Sequence, residues 1–201
     1  MMQEHSEKIS QNKIEVSNVA NLPTKHGDFL IQSFKEQQTN GIKEHLVIFT
    51  KDLEEIPTVR IHSECLTGDA IGSVKCDCQA QLNYALDFIN EKLGMVIYLR
   101  QEGRDIGLFN KVNAYSLQDE GFDTVEANHQ LGFASDQRTY EIVDFIFEYY
   151  KIDKIKLMTN NPAKLNGIKV KIVEQVPVKV GLTEQNSNYL KIKKEKMDHI
   201  L

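Results

Sequence analysis

All three cysteines of the 201-residue chain, Cys65, Cys76 and Cys78, fall in one stretch, HSECLTGDAIGSVKCDC. Thiols this close suit a metal ion better than a disulfide framework, because an odd count leaves one unpaired. Three thiolates are one short of a closed tetrahedral zinc site. The open position can hold a water, the arrangement of a zinc that does chemistry near neutral pH. The ligand spacing, ten residues and then one, is not that of a zinc finger or ribbon. The plainer alternative is three incidental or buried thiols.

Other polar residues have no evident structural task. Arg60, His62 and Glu64 alternate along a strand that runs into Cys65, which puts them on one face beside the first thiol. A solvated strand face is the bland alternative, and a lone histidine such as His62 is more often structural than a ligand. Glu102, Gly103 and Arg104 occupy a loop between a buried strand and a helix. Ligands of open α/β sheets gather at such strand ends, a helix N-terminus there favours phosphate, and an arginine grips it bidentately. Asp136 and Arg138 read as the opening of a helix, where the ordinary role is an N-cap and a surface charge. Thr159-Asn-Asn-Pro-Ala-Lys164 follows another strand; its amides, hydroxyl and ammonium can hold a phosphate or a base edge, or simply form an Asn-Pro turn.

The elements that must position these groups can be read from periodicity. Strands are expected at 14–17, 27–32, 45–50, 57–62, 95–99, 154–158 and 170–176, with a polar hairpin loop over 37–44. Leu82, Leu86, Ile89 and Leu93 recur at helical spacing before Gly94. A second helix runs through Leu108, Val112 and Tyr115 towards Gly121. A third starts near Ser135 or Asp136 and carries Ile142, Phe145, Ile146 and Tyr149. Residues 187–201 read as a basic amphipathic helix, and residues 1–14 as a loose polar tail. The fold class is mixed α/β (α+β): a single domain over 15–201, a mixed sheet flanked by helices.

A net charge of −5 argues against a general nucleic-acid binder, though not against one anionic ligand in a basic pocket. The sequence has no apolar run of membrane-spanning length and no apolar signal core at its N-terminus. With reduced thiols, these features point to a cytoplasmic protein without membrane or nucleic-acid partners.

Five segments together resemble the GTP cyclohydrolase II family. They are Arg60-Ile-His-Ser-Glu-Cys-Leu-Thr-Gly-Asp-Ala, Cys76-Asp-Cys, Arg100-Gln-Glu-Gly-Arg-Asp-Ile-Gly-Leu, Asp123-Thr-Val-Glu-Ala-Asn-His-Gln-Leu-Gly-Phe and Thr159-Asn-Asn-Pro. The likeness runs in order from about Leu22 to the C-terminus. It implies conversion of GTP to 2,5-diamino-6-(5-phospho-ribosylamino)pyrimidin-4(3H)-one, formate and pyrophosphate, the first step of riboflavin biosynthesis. It also implies a homodimer, one zinc per chain and magnesium with the substrate phosphates.

By the same resemblance, Cys65, Cys76 and Cys78 match the zinc ligands. Arg60, His62, Ser63, Glu64 and Gln81 match GTP-contacting positions, as do Glu102, Gly103, Arg104, Thr124, Thr159 and Lys164. Asp136 matches a proton acceptor, Arg138 a nucleophile towards the α-phosphate, and Tyr115 a tyrosine near the guanine ring. Gln79 stands where the family commonly has glycine. The segment after Lys164 is a few residues short, which questions the helix there and the hold on Lys164. Two other outcomes are a paralogue that opens the ring but keeps the triphosphate, and a non-catalytic zinc-stabilised nucleotide binder. Chemically, three thiolates leave a metal site negative and its water less acidic than three imidazoles would. A nearby acceptor, Glu64 or Tyr115, is therefore expected. A guanidinium is a poor nucleophile, so electrostatic stabilisation by Arg138 is as reasonable as a covalent role.

Overall fold

Alternation of apolar residues along the chain builds a sheet with two covered faces. The computed structural model describes residues 13–39, 41–183 and Asn186. Strands β1 (Ile14–Val16), β2 (Ala20–Thr24), β3 (Gly27–Gln38) and β4 (Gly41–Phe49) come first. Then follow β5 (Thr58–Ser63), helices α1 (Leu66–Asp69) and α2 (Cys78–Lys92), and β6 (Met95–Leu99). Helices α3 (Gly107–Asp119), α4 (Thr124–Gln130) and α5 (Glu141–Tyr150) precede β7 (Lys154–Met158), α6 (Pro162–Asn166) and β8 (Lys171–Val176).

All eight strands share one mixed sheet, in the order β1-β3-β4-β6-β5-β7-β8, with β2 also on β3. From β1 to β4 the pairing is antiparallel, and β4 meets β6 antiparallel. Strand β5 runs parallel to both β6 and β7, and β7 parallel to β8. One face buries Phe34, Val47, Val59, Ile61, Ile97 and Leu157 beneath Ile142, Val143 and Ile146 of α5. The other buries Phe29, Val96 and Met158 beneath Ala85, Leu86 and Ile89 of α2. Because successive residues point to opposite faces, Val59 and Ile61 pack towards α5. Arg60 and His62 therefore lie on the α2 face.

The expected strands at 14–17, 57–62, 95–99, 154–158 and 170–176 are present within a residue or two. Residues 37–44 are not a loop. The hairpin ladder continues to Gln37↔Ile42 and Gln38↔Gly41, since backbone pairing at a hairpin tip needs no apolar side chains. No helix starts at Ser135 or Asp136. The Asp136 carboxylate is taken by Arg138 instead of capping, and α5 begins at Glu141. Helix α4 and strand β2 lack a clear apolar period and are legible only in three dimensions; α4 is held by a capping box between Asp123 and Glu126. Ile14, where the expected tail and the expected first strand meet, pairs with Glu36. Residues 1–12 and the amphipathic segment 187–201 lie outside the described residues. Among the described residues no helix is long and apolar enough to cross a membrane.

Candidate active site

The carboxyl ends of the parallel strands β5, β6 and β7 open on one side of the sheet. The chain leaves them as Glu64-Cys65, Arg100-Gln101-Glu102 and Thr159-Asn160-Asn161. Residues from all three exits line a single cavity, with walls added by α2, α3 and the segment before α5. Ligands of α/β sheets collect at this edge.

At one end of the cavity stand the cysteines. The Sγ atoms of Cys65, Cys76 and Cys78 lie within 4.8 Å of one another, and Cys65 and Cys76 are 3.6 Å apart. Zinc–sulfur bonds of about 2.3 Å at tetrahedral angles place sulfurs about 3.8 Å apart, so the cluster fits that ion. Hydrogen bonds from Cys76 and Cys78 hold Cys65 far towards the thiolate, and the Cys76 thiol is pushed up in exchange. Helix α1 presses on the cluster through Gly68. A Cβ there would meet Cys76 Sγ at 2.8 Å and Cys65 Sγ at 3.1 Å.

A carboxylate organises the approach to Cys65. Asp69 accepts from the Cys65 amide at 3.0 Å and from Tyr98 Oη at 2.8 Å. It also faces His62 Nε2 at 3.2 Å, and the His62 ring stacks on Tyr98 with centroids 5.4 Å apart. Burial lowers the His62 pKa, against the hydrogen bond to Asp69, so the ring stays neutral at ordinary pH. Nearby, Tyr115 Oη is 3.1 Å from Thr67 Oγ1, and burial raises its pKa.

The remaining walls are cationic. Arg60 donates to the Met158 carbonyl at 3.1 Å and to Gln81 Oε1 at 2.6 Å, and Gln81 in turn donates to Asp77. Burial lowers the Arg60 pKa to about 10. Arg104 donates to the Ser135 carbonyl at 3.0 Å, and Lys164 to the Ile61 carbonyl at 2.8 Å. Arg138 grips Asp136 through Nε at 2.9 Å and through Nη2, and its Nη1 lies 3.3 Å from Ser63 Oγ. Burial would raise the Asp136 pKa, but the Arg138 hydrogen bonds and charge hold it below the usual carboxylate value. Arg60 Nε, His62 Nδ1 and Arg104 Nη2 are buried without a partner among the described residues. Buried polar atoms of this kind are ordinarily satisfied, so the wall suits a polar ligand.

The loop between β6 and α3 carries strain. Gly103, Arg104 and Asp105 take φ of 62°, 62° and 75°, the left-handed region that only glycine enters cheaply. Such geometry persists where neighbours enforce it. Here Lys43 of β4 grips Asp105 at 2.7 Å, and the Glu102 carboxylate accepts the Gly103 amide at 2.8 Å.

A model of the GTP cyclohydrolase II family matches residues 15–177. The chain belongs to the GTP cyclohydrolase II family. It is 60% identical over 189 residues to the GTP cyclohydrolase-2 of Campylobacter hominis, across 94% of this chain and 96% of that protein. To the GTP cyclohydrolase-2 of Helicobacter acinonychis it is 56% identical over 190 residues, across 94% and 99%. Among solved structures, a two-domain 3,4-dihydroxy-2-butanone 4-phosphate synthase from A. baumannii is similar at 15% identity and a TM-score of 0.42. That likeness covers 87% of this chain and 48% of that one. Membership makes the chain an enzyme of the GTP cyclohydrolase II class.

For this family member the cavity gathers most of the residues singled out in the sequence. Arg60, His62, Ser63, Glu64 and Gln81 line it with the three cysteines. So do Glu102, Gly103, Arg104, Tyr115, Arg138, Thr159 and Lys164. Asp136 stands behind Arg138 instead of on the wall, and Thr124, the first residue of α4, is also off it. Glu64 follows β5 and pairs with Arg100 at 2.8 Å, so it is not the third member of a strand face. Gln79 replaces glycine at little cost, donating to the Asp69 carbonyl at 3.3 Å. The short segment after Lys164 forms only a five-residue helix, yet Lys164 is 4% exposed and anchored to β5. Sequence reasoning missed Asp69, Lys111 and Asn128. The spacing of Lys111 four residues before Tyr115, one turn on the same helix face, was the available signal for the second of these.

Proposed function

We propose that this chain is a GTP cyclohydrolase of riboflavin biosynthesis. It would convert GTP to 2,5-diamino-6-(5-phospho-ribosylamino)pyrimidin-4(3H)-one, formate and pyrophosphate, as a cytoplasmic homodimer. The observation that carries the reading is the cavity itself, which joins a three-thiol cluster to a wall of arginines and lysines. A purine can meet the sulfur end while a triphosphate meets the cationic wall.

Cys65, Cys76 and Cys78 would hold one zinc, which when bound supplies a Lewis acid that activates water for attack at guanine C8. Tyr115, kept protonated by burial and steadied by Thr67, donates a proton to a ring nitrogen as the imidazole opens. Glu64 at the cavity wall accepts a proton from the attacking water. Arg104 and Lys164 neutralise phosphate charge, with magnesium bound to the substrate phosphates. Asp136 engages Arg138 through two guanidinium nitrogens and keeps it cationic. A cation so held stabilises phosphoryl charge better than it attacks phosphorus, so Arg138 is assigned an electrostatic role. Thr159 and Glu102 are the candidate contacts to the guanine edge.

The test is incubation of the purified protein with GTP and magnesium, with separate assays for formate and pyrophosphate. Release of both in equal amounts is expected. Formate without pyrophosphate would make the protein a ring-opening paralogue, and ATP turned over as well as GTP would overturn the guanine assignment.

A further inference from the structure

Three thiolates around a divalent ion sum to a net charge of about −1, and such a site is a poor Lewis acid unless something offsets the excess. A buried cation touches the cluster. Lys111 of α3 is 8% exposed and donates from Nζ to Cys65 Sγ at 3.2 Å. The same ammonium donates to Glu102 Oε1 at 2.7 Å. The second oxygen of Glu102 accepts the Leu66 amide at 2.6 Å, at the start of the helix that follows Cys65. Glu102 alone would satisfy a structural lysine; the contact to a thiolate is additional. Space for the lysine stem comes from Gly103, where a Cβ would stand 3.1 Å from Lys111 Cβ.

Resting on the metal-site reading above, we propose that Lys111 is a positioning residue of the metal centre. Its N–H draws electron density from the Cys65 sulfur and weakens that thiolate as a donor; Glu102 balances the ammonium's charge, so the directed hydrogen bond and not net charge does this. Glu102 aims the ammonium at the sulfur and is itself fixed by α1. Hydrogen bonds to ligating sulfurs tune metal centres in this way.

The experiment uses the full chain with cobalt(II) in place of zinc, and reads metal content, the thiolate-to-cobalt charge-transfer band and formate release. The wild-type protein should bind about one cobalt per chain; if it binds none, the metal-site reading fails, independently of Lys111. In Lys111→Met the sulfur regains density, so the band should move to longer wavelength at unchanged metal content. Formate release should fall about 10- to 100-fold. Lys111→Arg, which keeps the charge and the donor, should hold the band near its wild-type position. If Lys111→Met does not fold because Glu102 is left buried and unpaired, the pair Glu102→Gln with Lys111→Met removes both charges and should show the same shift. An unmoved band in a folded, metal-loaded variant lacking the ammonium would overturn the proposal. So would an arginine variant shifted as far as the methionine one.

Discussion

The antiparallel and parallel halves of the sheet share one core but are built for different purposes. In β3 and β4 buried and half-buried positions alternate over much of their length, because solvent reaches part of that region. In β5 all but the last residue is buried, including Thr58, Arg60 and His62, because α2 and α5 cover both faces. Residues lining the cavity all come from β5 onwards. Two contacts cross from the antiparallel half to the loop after β6. His45 Nδ1 accepts the Arg100 amide at 3.1 Å, and Lys43 grips Asp105. One half therefore supplies stability and a floor, and the other spends buried surface on the polar groups that line the cavity.

The comparison breaks most decisively at the cysteines. Cys76→Ser should abolish both bound metal and formate release while leaving the sheet folded. Metal analysis with circular dichroism checks this, and a variant with full metal and activity would sink the assignment. Next in size is Arg138. Its alanine variant should slow pyrophosphate release about 100-fold, the scale of losing one transition-state donor, yet still open the ring of intact GTP. Arg138→Lys keeps the charge without the planar fork and should retain part of the activity. Total loss of both products in the lysine variant would point to a covalent arginine instead.

Phe34 tests the other half. It is fully buried and packs edge-on against Tyr149 at 5.4 Å between centroids. Phe34→Ala should cost about 3–5 kcal/mol in denaturant unfolding while kcat/KM of the folded protein stays near wild type. A parallel fall in kcat/KM would show that the halves are not separable. The smallest effect is expected at the crossing point. Lys43→Met removes a partly buried ion pair worth about 1 kcal/mol and should raise KM by no more than about fivefold, through the strained loop at 103–105. Steady-state kinetics at two salt concentrations would check it.

Much of the parallel half was legible in the sequence because its strands are short apolar runs with polar breaks at their ends. The three-thiol cluster was legible because cysteines are rare and here adjacent. Polar pairing hid the tip of the β3–β4 hairpin, since a ladder is held by backbone groups that leave no mark on composition. Asp136 misled because an aspartate before an apolar run is a good cap, and nothing local reveals that Arg138 will take its carboxylate. Thr124 was carried over by position in a motif; it opens α4 one turn before Asn128, which lines the cavity. Lys111 and Asp69 were missed because the partners that define their roles are also distant: Lys111 reaches Cys65 across 46 residues, and Asp69 joins Tyr98, 29 residues on, to the nearby Cys65 amide.

Gly68 links the cysteine cluster to the history such a sequence can have. Its backbone is ordinary helix, so no turn demands glycine there; the sulfurs do, because a single methyl group would stand 2.8 Å from Cys76 Sγ. Substitutions at 68 and at the three cysteines are therefore not independent. Any lineage that keeps the thiols on this backbone is held to one residue at 68, and a lineage that loses them is released from it. Relatives with a larger residue at that position should be the ones whose cysteine cluster has also changed.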